Sequence, residues 1–303
     1  MGPPWVAVPF APEVIHLEHD TFGDPDDPPL LLIMGLGFQL IHWDPEFCRQ
    51  LADQGFYVIR FDNRDAGLST KIRGGPKPNP LAAFAGITTS ASYTLWDMAD
   101  DTAALLDRLD LPAAHVVGIS MGGMIAQSLA IKHPDRVLSL ASLLSTTGNR
   151  RVGLPRMRAL ALLLKRAPEE REAYLDFAVD VGKVIGSRKY MDETRVRAIA
   201  AAAYDRCYYP VGMLRQLVGI QASGDRTEQL KRLDVPTVVI HGSDDPLVPT
   251  RAGHATAKAI PGARMVEIAD LAHDLPPPVW GQVVEAIVEN TQRSASTATR
   301  QAA

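Results

Sequence analysis

The residue best placed to do chemistry is Ser120, in Gly118-Ile119-Ser120-Met121-Gly122, followed by Gly123. This G-x-S-x-G run lies between a Val-rich stretch that reads as a strand, His115–Ile119, and one that reads as a helix, Met124–His133. A serine held between strand and helix must turn sharply, and small residues two positions to either side relieve the crowding. The turn lifts the hydroxyl above the strand ends, at the positive end of the following helix. A serine hydroxyl is a weak nucleophile until a base takes its proton, and that base needs a third group to orient it. Both are available downstream. The strand candidate Thr237–Ile240 runs into His241-Gly242-Ser243-Asp244-Asp245-Pro246, which offers Asp244 or Asp245 as the acid. The next strand candidate, Arg264–Ile268, leads to Asp270-Leu271-Ala272-His273-Asp274, which makes His273 the expected base. Asp274 follows His273 too closely to be its orienting partner.

Acyl transfer also needs donors for the negative charge that develops on the carbonyl oxygen, and losing one such donor typically costs around 10²–10³ in rate. One candidate is the backbone N–H of Met121, directly after the serine. The other is that of Leu36 in Met34-Gly35-Leu36-Gly37-Phe38, where flanking glycines let the backbone come close. This Gly-x-Gly is too short for a dinucleotide fingerprint. The remaining histidines suggest less. His115 opens a strand, His133 ends a helix and His241 closes a strand, all positions for satisfied structural rings. His16, His19, His42 and His254 have no partner motif, although His42 falls near the expected pocket.

These groups must be positioned by a scaffold. Leu30–Met34, Tyr57–Phe61 and Val137–Leu144 join the three strand candidates above as short apolar runs without strict alternation, as in strands buried on both faces. Val14–Glu18 alternates and reads as an edge strand. Helical patterns separate the runs, so the fold class is α/β, a mostly parallel sheet with helices on both faces. In Thr94–Leu109, Thr94 is the expected N-cap and Asp97 sits at the capping-box position. Residues 146–233 lack strands and read as helices, including Leu154–Arg166 and Val211–Gln221. They are expected to form a cap over the strand ends, with residues 1–145 and 234–293 as the core and 294–303 as a disordered tail.

The composition sets outer limits. With 303 residues, 46% apolar and 22% charged, the chain can bury a large core. A net charge of −4 gives no footprint for nucleic acid. Cys48 and Cys207 read as reduced thiols, and no His/Cys set has metal-ligand spacing. Met1–Phe10 lacks the basic start of a signal peptide, and no apolar run spans a bilayer, so a cytoplasmic location is expected. Within 146–233, Leu154, Met157, Leu160, Leu163 and Leu164 form a stripe bordered by Arg and Lys. The reading adopted is packing on the pocket with a solvated basic face; contact with an anionic membrane is the alternative. Met213, Leu214 and Leu217 are candidates to line an acyl pocket.

Together these motifs resemble those of the α/β-hydrolase superfamily over nearly the whole chain. Phe61-Asp62-Asn63-Arg64-Asp65-Ala66-Gly67-Leu68-Ser69 is similar to the family's D-x-R-x-x-G-x-S loop, which implies a brace for the site. Gly242 to Pro249 resembles its G-x-x-D-P-L-V-P acid loop, which implies Asp245 rather than Asp244 as the acid. Phe22-Gly23-Asp24-Pro25, the Met34-Gly35 pair and Ala272 to Pro276 look closest to actinobacterial carboxylesterases and lipases, a group that includes aclacinomycin methylesterase. The resemblance implies a Ser120–His273–Asp245 hydrolase of small apolar esters that uses no cofactor or metal. Thioesterase, lactonase, carbon–carbon hydrolase or perhydrolase chemistry at the same residues, or ligand binding without catalysis, are the alternatives.

Overall fold

A computed structural model describes residues 14–301; the expectation for Met1–Phe10 lies outside them. Seven strands, β1 His19–Phe22, β2 Pro29–Ile33, β3 Tyr57–Phe61, β4 Ala114–Ile119, β5 Val137–Leu143, β6 Thr237–Gly242 and β7 Arg264–Ile268, form one sheet in the order β1-β3-β2-β4-β5-β6-β7. Only β1 runs antiparallel. Helices α1 Pro45–Ala52, α2 Pro80–Phe84, α3 Leu95–Arg108 and α4 Met121–Lys132 connect the first five strands. α5 Arg150–Gly153, α6 Met157–Leu163, α7 Arg171–Ile185, α8 Glu193–Arg206, α9 Pro210–Ala222 and α10 Thr227–Leu230 all fall between β5 and β6. α11 Thr250–Ala259 and α12 Trp280–Gln301 complete the chain.

The doubly apolar strands explain the layers. On β2 and β3, Leu31, Ile33, Ile59 and Phe61 pack with α3 and α4, while Leu30, Leu32 and Val58 pack with Phe47 and Leu51 of α1 and Trp280, Val283 and Ile287 of α12. All are essentially shielded from water, and each buried Leu or Ile side chain is worth about 2 kcal/mol. α3 starts where expected, with Thr94 and Asp97 closing a reciprocal capping box. After β2 the chain turns through α1 to β3, and after β4 it turns through α4 to β5 on the opposite side. The β2–β4 junction is therefore the topological switch point, where the carboxyl ends of an open parallel sheet leave a crevice.

Several expectations need correction. The edge strand is His19–Phe22, not Val14–Glu18. The latter's backbone is taken up by the loop after β3: His16 N–H donates to Thr70 Oγ1, Glu18 N–H donates to Ser69 Oγ, and Thr70 N–H donates to the His16 carbonyl. The expected helix Leu154–Arg166 is shortened to Met157–Leu163, and the separate α5 ends before it at Gly153, because Pro155 lacks a donor and forces Leu154 into an extended conformation. Within α6 it is Ala159 that is buried, while Leu154 and Met157 are exposed. α12 runs on to Gln301, through most of the 294–303 stretch whose composition suggests disorder. Once a long helix is nucleated, each added turn needs no new nucleus.

The helical segment between β5 and β6 is rooted by Arg226. Its guanidinium is 1% exposed and donates to the Thr146 carbonyl at 2.9 Å, and its own N–H donates to the Thr147 carbonyl at 2.8 Å. With no carboxylate in this set of bonds, burial pushes the guanidinium down to about 10.

At the elbow, a Cβ at Gly122 would lie 2.0 Å from the Ile33 carbonyl oxygen, on backbone that cannot yield cheaply. Gly122→Ala is therefore expected to cost about 3 kcal/mol or more through overpacking, read as a fall of several degrees in Tm. An unchanged Tm would show that β2 and α4 can separate freely.

Candidate active site

Ser120 sits between β4 and α4 at φ 56° and ψ −118°, a conformation that L-residues rarely adopt. The turn is pinned on both sides. Ser120 N–H donates to the Leu143 carbonyl at 2.8 Å, and its own carbonyl accepts from Ser145 Oγ at 2.8 Å. Gly118 admits no Cβ, which would meet the Gly122 carbonyl oxygen at 2.2 Å.

Ser120, Asp245 and His273 are brought together as the sequence suggests. His273 Nε2 lies 2.9 Å from Ser120 Oγ, and Nδ1 lies 2.7 Å from Asp245 Oδ2. A carboxylate only accepts, so Nδ1 carries the proton and Nε2 is left to accept from the serine hydroxyl. Asp245 is buried on the loop after β6, and its other oxygen accepts from Leu247 N–H and Val248 N–H, each at 2.8 Å. The neighbouring Asp244 is exposed; its carboxylate accepts from Ser243 Oγ in its own loop, and its N–H donates to the Leu271 carbonyl of the loop after β7. It does not reach His273 as Asp245 does.

Met121 follows the serine directly, and Leu36 lies in the loop after β2, next to Gly35. Met121 is the first residue of α4, so its N–H has no carbonyl one turn back within the helix. Ile33 pairs with Gly118 across β2 and β4, which carries the loop after β2 over the elbow. A Cβ on Gly35 would touch Ser120 Cβ at 3.4 Å, so the Met34–Phe38 loop lies against Ser120. That loop is held from two sides. Asn63 Nδ2 donates to the Met34 carbonyl at 2.9 Å, and Gly37 N–H donates to Gln216 Oε1 of α9 at 2.8 Å. Gln216 is 1% exposed and also donates to the Arg64 carbonyl. The expected brace is present too: Asp62 accepts from Leu40 N–H, Leu68 N–H and the Arg206 guanidinium.

Several other histidines have structural partners. His133 meets Asp100, His254 meets Glu267, and His241 bonds the Val248 carbonyl. His42 stacks on Phe38 with ring centroids 4.2 Å apart and bonds Gln39, and desolvation pushes it down to about 4. Cys48 and Cys207 are free, and burial pushes the Cys48 thiol up to about 12. What sequence reading missed is the set of contacts from the β5–β6 segment. Besides Gln216, Arg156 N–H donates to the Pro246 carbonyl at 2.8 Å, and His273 N–H donates to the Ile185 carbonyl at 2.9 Å. Pairs so far apart in the chain leave no local spacing to read.

The family model described as the alpha/beta hydrolase fold matches residues 28–276, and this chain belongs to that family. It is 30% identical over 300 residues to the rhodomycin D methylesterase DauP of Streptomyces sp. (strain C5), covering 92% of this chain and 95% of that one. It is 25% identical to 3-oxoadipate enol-lactonase 2 of Acinetobacter baylyi, covering 91% and 94%. The crystal structure of the enol-lactonase from Burkholderia xenovorans LB400 superposes with a TM-score of 0.72 at 26% identity, over 91% of this chain and 96% of that one. The chain is an α/β hydrolase with methylesterase relatives. Among the described residues, no helix is long and apolar enough to cross a membrane.

Two predictions follow from the electrostatics. Asp245→Asn should lower kcat for an ester by on the order of 10⁴, whereas Asp244→Asn should leave it within about twofold; the reverse ranking would reassign the acid. His115, 7% exposed and bonded to Ser139, is pushed from 6.5 down to about 4 by burial. The unfolded chain then holds the extra proton between those values. Stability is full above 6.5 and falls as pH drops toward 4, by up to about 1.4 kcal/mol per pH unit. His115→Gln should flatten the decline of Tm across that window, and an equally steep decline would clear His115 of any part in it.

Proposed function

We propose that this chain is a serine carboxylesterase that works through an acyl-enzyme, with Ser120 as nucleophile, His273 as base and Asp245 as the orienting acid. The observation that carries the reading is one imidazole within hydrogen-bond reach of both Ser120 Oγ and Asp245 Oδ2. His273 Nε2 takes the hydroxyl proton as Oγ bonds to the carbonyl carbon, and the imidazolium is stabilised by Asp245. The N–H groups of Leu36 and Met121 hold the oxyanion. The carbon–oxygen bond to the alcohol breaks as Nε2 returns the proton to the leaving oxygen. Water, deprotonated by the same nitrogen, then attacks the acyl carbon, and the carboxylic acid and free Ser120 are regenerated.

In this reading residues 146–233 are a cap over the strand ends. Met213 supports an apolar pocket: a Cβ on Gly37 would lie 2.7 Å from Met213 Cγ, so α9 rests on the loop beside the nucleophile, and Leu217 is buried behind it. The methylesterase relatives favour a methyl ester, and the apolar side chains of α9 beside Gly37 favour an apolar acyl part. Lactone hydrolysis is a second reading, favoured by the enol-lactonase likeness; a lactone is an internal ester and needs no different machinery.

Purified protein should hydrolyse p-nitrophenyl acetate, with Ser120→Ala removing all but a residue of activity, a loss on the order of 10⁶ in kcat as for other serine hydrolases stripped of their nucleophile. Among natural-type substrates, methyl esters of apolar acids should be turned over faster than lactones. Full activity in Ser120→Ala would end the serine-hydrolase reading; lactones preferred over methyl esters would select the second one.

A further inference from the structure

The core hydrogen-bonds the backbone of the loop after β7 up to Leu271, and beyond it reaches the His273 imidazole through Asp245. Asp270 N–H donates to Ser243 Oγ, and the Leu271 carbonyl accepts from Asp244 N–H. A Cβ on Gly242 would lie 2.2 Å from the Leu271 carbonyl oxygen, so β6 and the loop are in tight contact there. The core takes hold again at Leu275, whose carbonyl accepts from Trp280 Nε1 at 3.0 Å. Between these points lie Ala272, His273 and Asp274.

Those three residues are held by the turn that ends α7. Ala272 N–H donates to Ser187 Oγ at 2.8 Å, and His273 N–H donates to the Ile185 carbonyl at 2.9 Å. Ser187 N–H donates to Asp274 Oδ2 at 3.0 Å, and the Ser187 hydroxyl donates to Asp274 Oδ1. Ser187 is fully buried. Its hydroxyl both gives its proton to Asp274 and accepts from Ala272 N–H, on either side of His273. Gly186 lets the turn approach: a Cβ there would lie 2.6 Å from the Gly182 carbonyl oxygen and 3.2 Å from Asp274 Oδ2.

We propose that Ser187 is a positioning residue for His273, gripping the backbone and carboxylate on both sides of the imidazole. The proposal rests on His273 being the base. It makes the helical segment a working part of the hydrolase rather than only a cover, because a shift of α7 moves the imidazole away from Ser120. Displacing a reacting group by about 1 Å is enough to cost on the order of 10² in rate.

The test uses the full chain, p-nitrophenyl acetate and the downfield proton resonance of the Nδ1–H held by Asp245. Ser187→Ala should lower kcat about 10- to 100-fold with KM changed less than about twofold, and should broaden or shift that resonance. Ser187→Thr, which keeps the hydroxyl, should recover most of kcat. Asp274→Asn opens the same grip from the core side, so it should repeat the kcat loss even where Ser187→Ala folds poorly. An unshifted resonance and undiminished kcat in both Ser187→Ala and Asp274→Asn overturn the proposal, as does a kcat loss that Ser187→Thr does not recover. Ser120→Ala, run in parallel, separates the two levels. If it is inactive while the Ser187 and Asp274 variants are fully active, only the positioning role falls; if it is fully active, both fall.

Discussion

The backbone of Ser120 is the constraint on which the rest of the site depends. Holding a serine at φ 56° costs of order 1–3 kcal/mol and persists only where the surroundings leave no alternative. Here they leave none. The N–H is committed to β5 through Leu143, the carbonyl is committed to Ser145 and to Met124 of α4, and Gly118 and Gly122 let strand and helix meet without a side chain between them. The same closeness brings α4 against the end of β2. Packing at Gly122 therefore fixes where the Leu36 loop begins, as well as where the serine hydroxyl points.

From that fixed point the loops are recruited by polar contacts that the core cannot dissolve cheaply. Asp62 is fully buried and accepts from the two loops that flank it and from Arg206 of α8. Arg64 pairs with Asp101 of α3 at 2.5 and 2.7 Å and lies over the Tyr93 ring. Breaking a buried pair by deleting one member costs about 3–5 kcal/mol, because the survivor is left charged and dry. These pairs do little for net stability compared with apolar packing, but they leave only one arrangement in which no charge is stranded. The Asn63 bond to the Met34 carbonyl then transmits that arrangement to the loop beside Ser120.

What could be read from the chain follows from which constraints are local. The elbow was legible because its turn demands glycine within two residues of Ser120, and the parallel strands because burial on both faces leaves unbroken Val, Ile and Leu. Asp245 and Asp244 could not be separated by position alone; the loop pattern pointed to one, and burial with two backbone donors accounts for the difference. The edge strand was misplaced because Val14–Glu18 alternates like a strand but has its backbone donors filled by Ser69 and Thr70. The grip of Ser187 on Asp274 and of Gln216 on Gly37 was invisible for the same physical reason. Such bonds are made by tertiary structure between residues with no shared period, cap or turn.

The β5–β6 segment therefore faces two different demands. It meets the acid loop through Arg156 and Pro246, the histidine loop through Ile185 and Ser187, and the loop after β2 through Gln216 and Gly37. Arg156 and Ile185 make their bonds through main-chain groups, so many side chains around them can change while the bond survives. Ser187 and Gln216 are the exceptions, since their side chains make the bond. The stretch from Leu154 through α6 is loosely committed, with Leu154 and Met157 exposed and α6 burying little beyond Ala159. A segment built in this way can vary its own side chains without releasing the geometry of the imidazole. That division suits a family whose relatives here include both methylesterases and enol-lactonases.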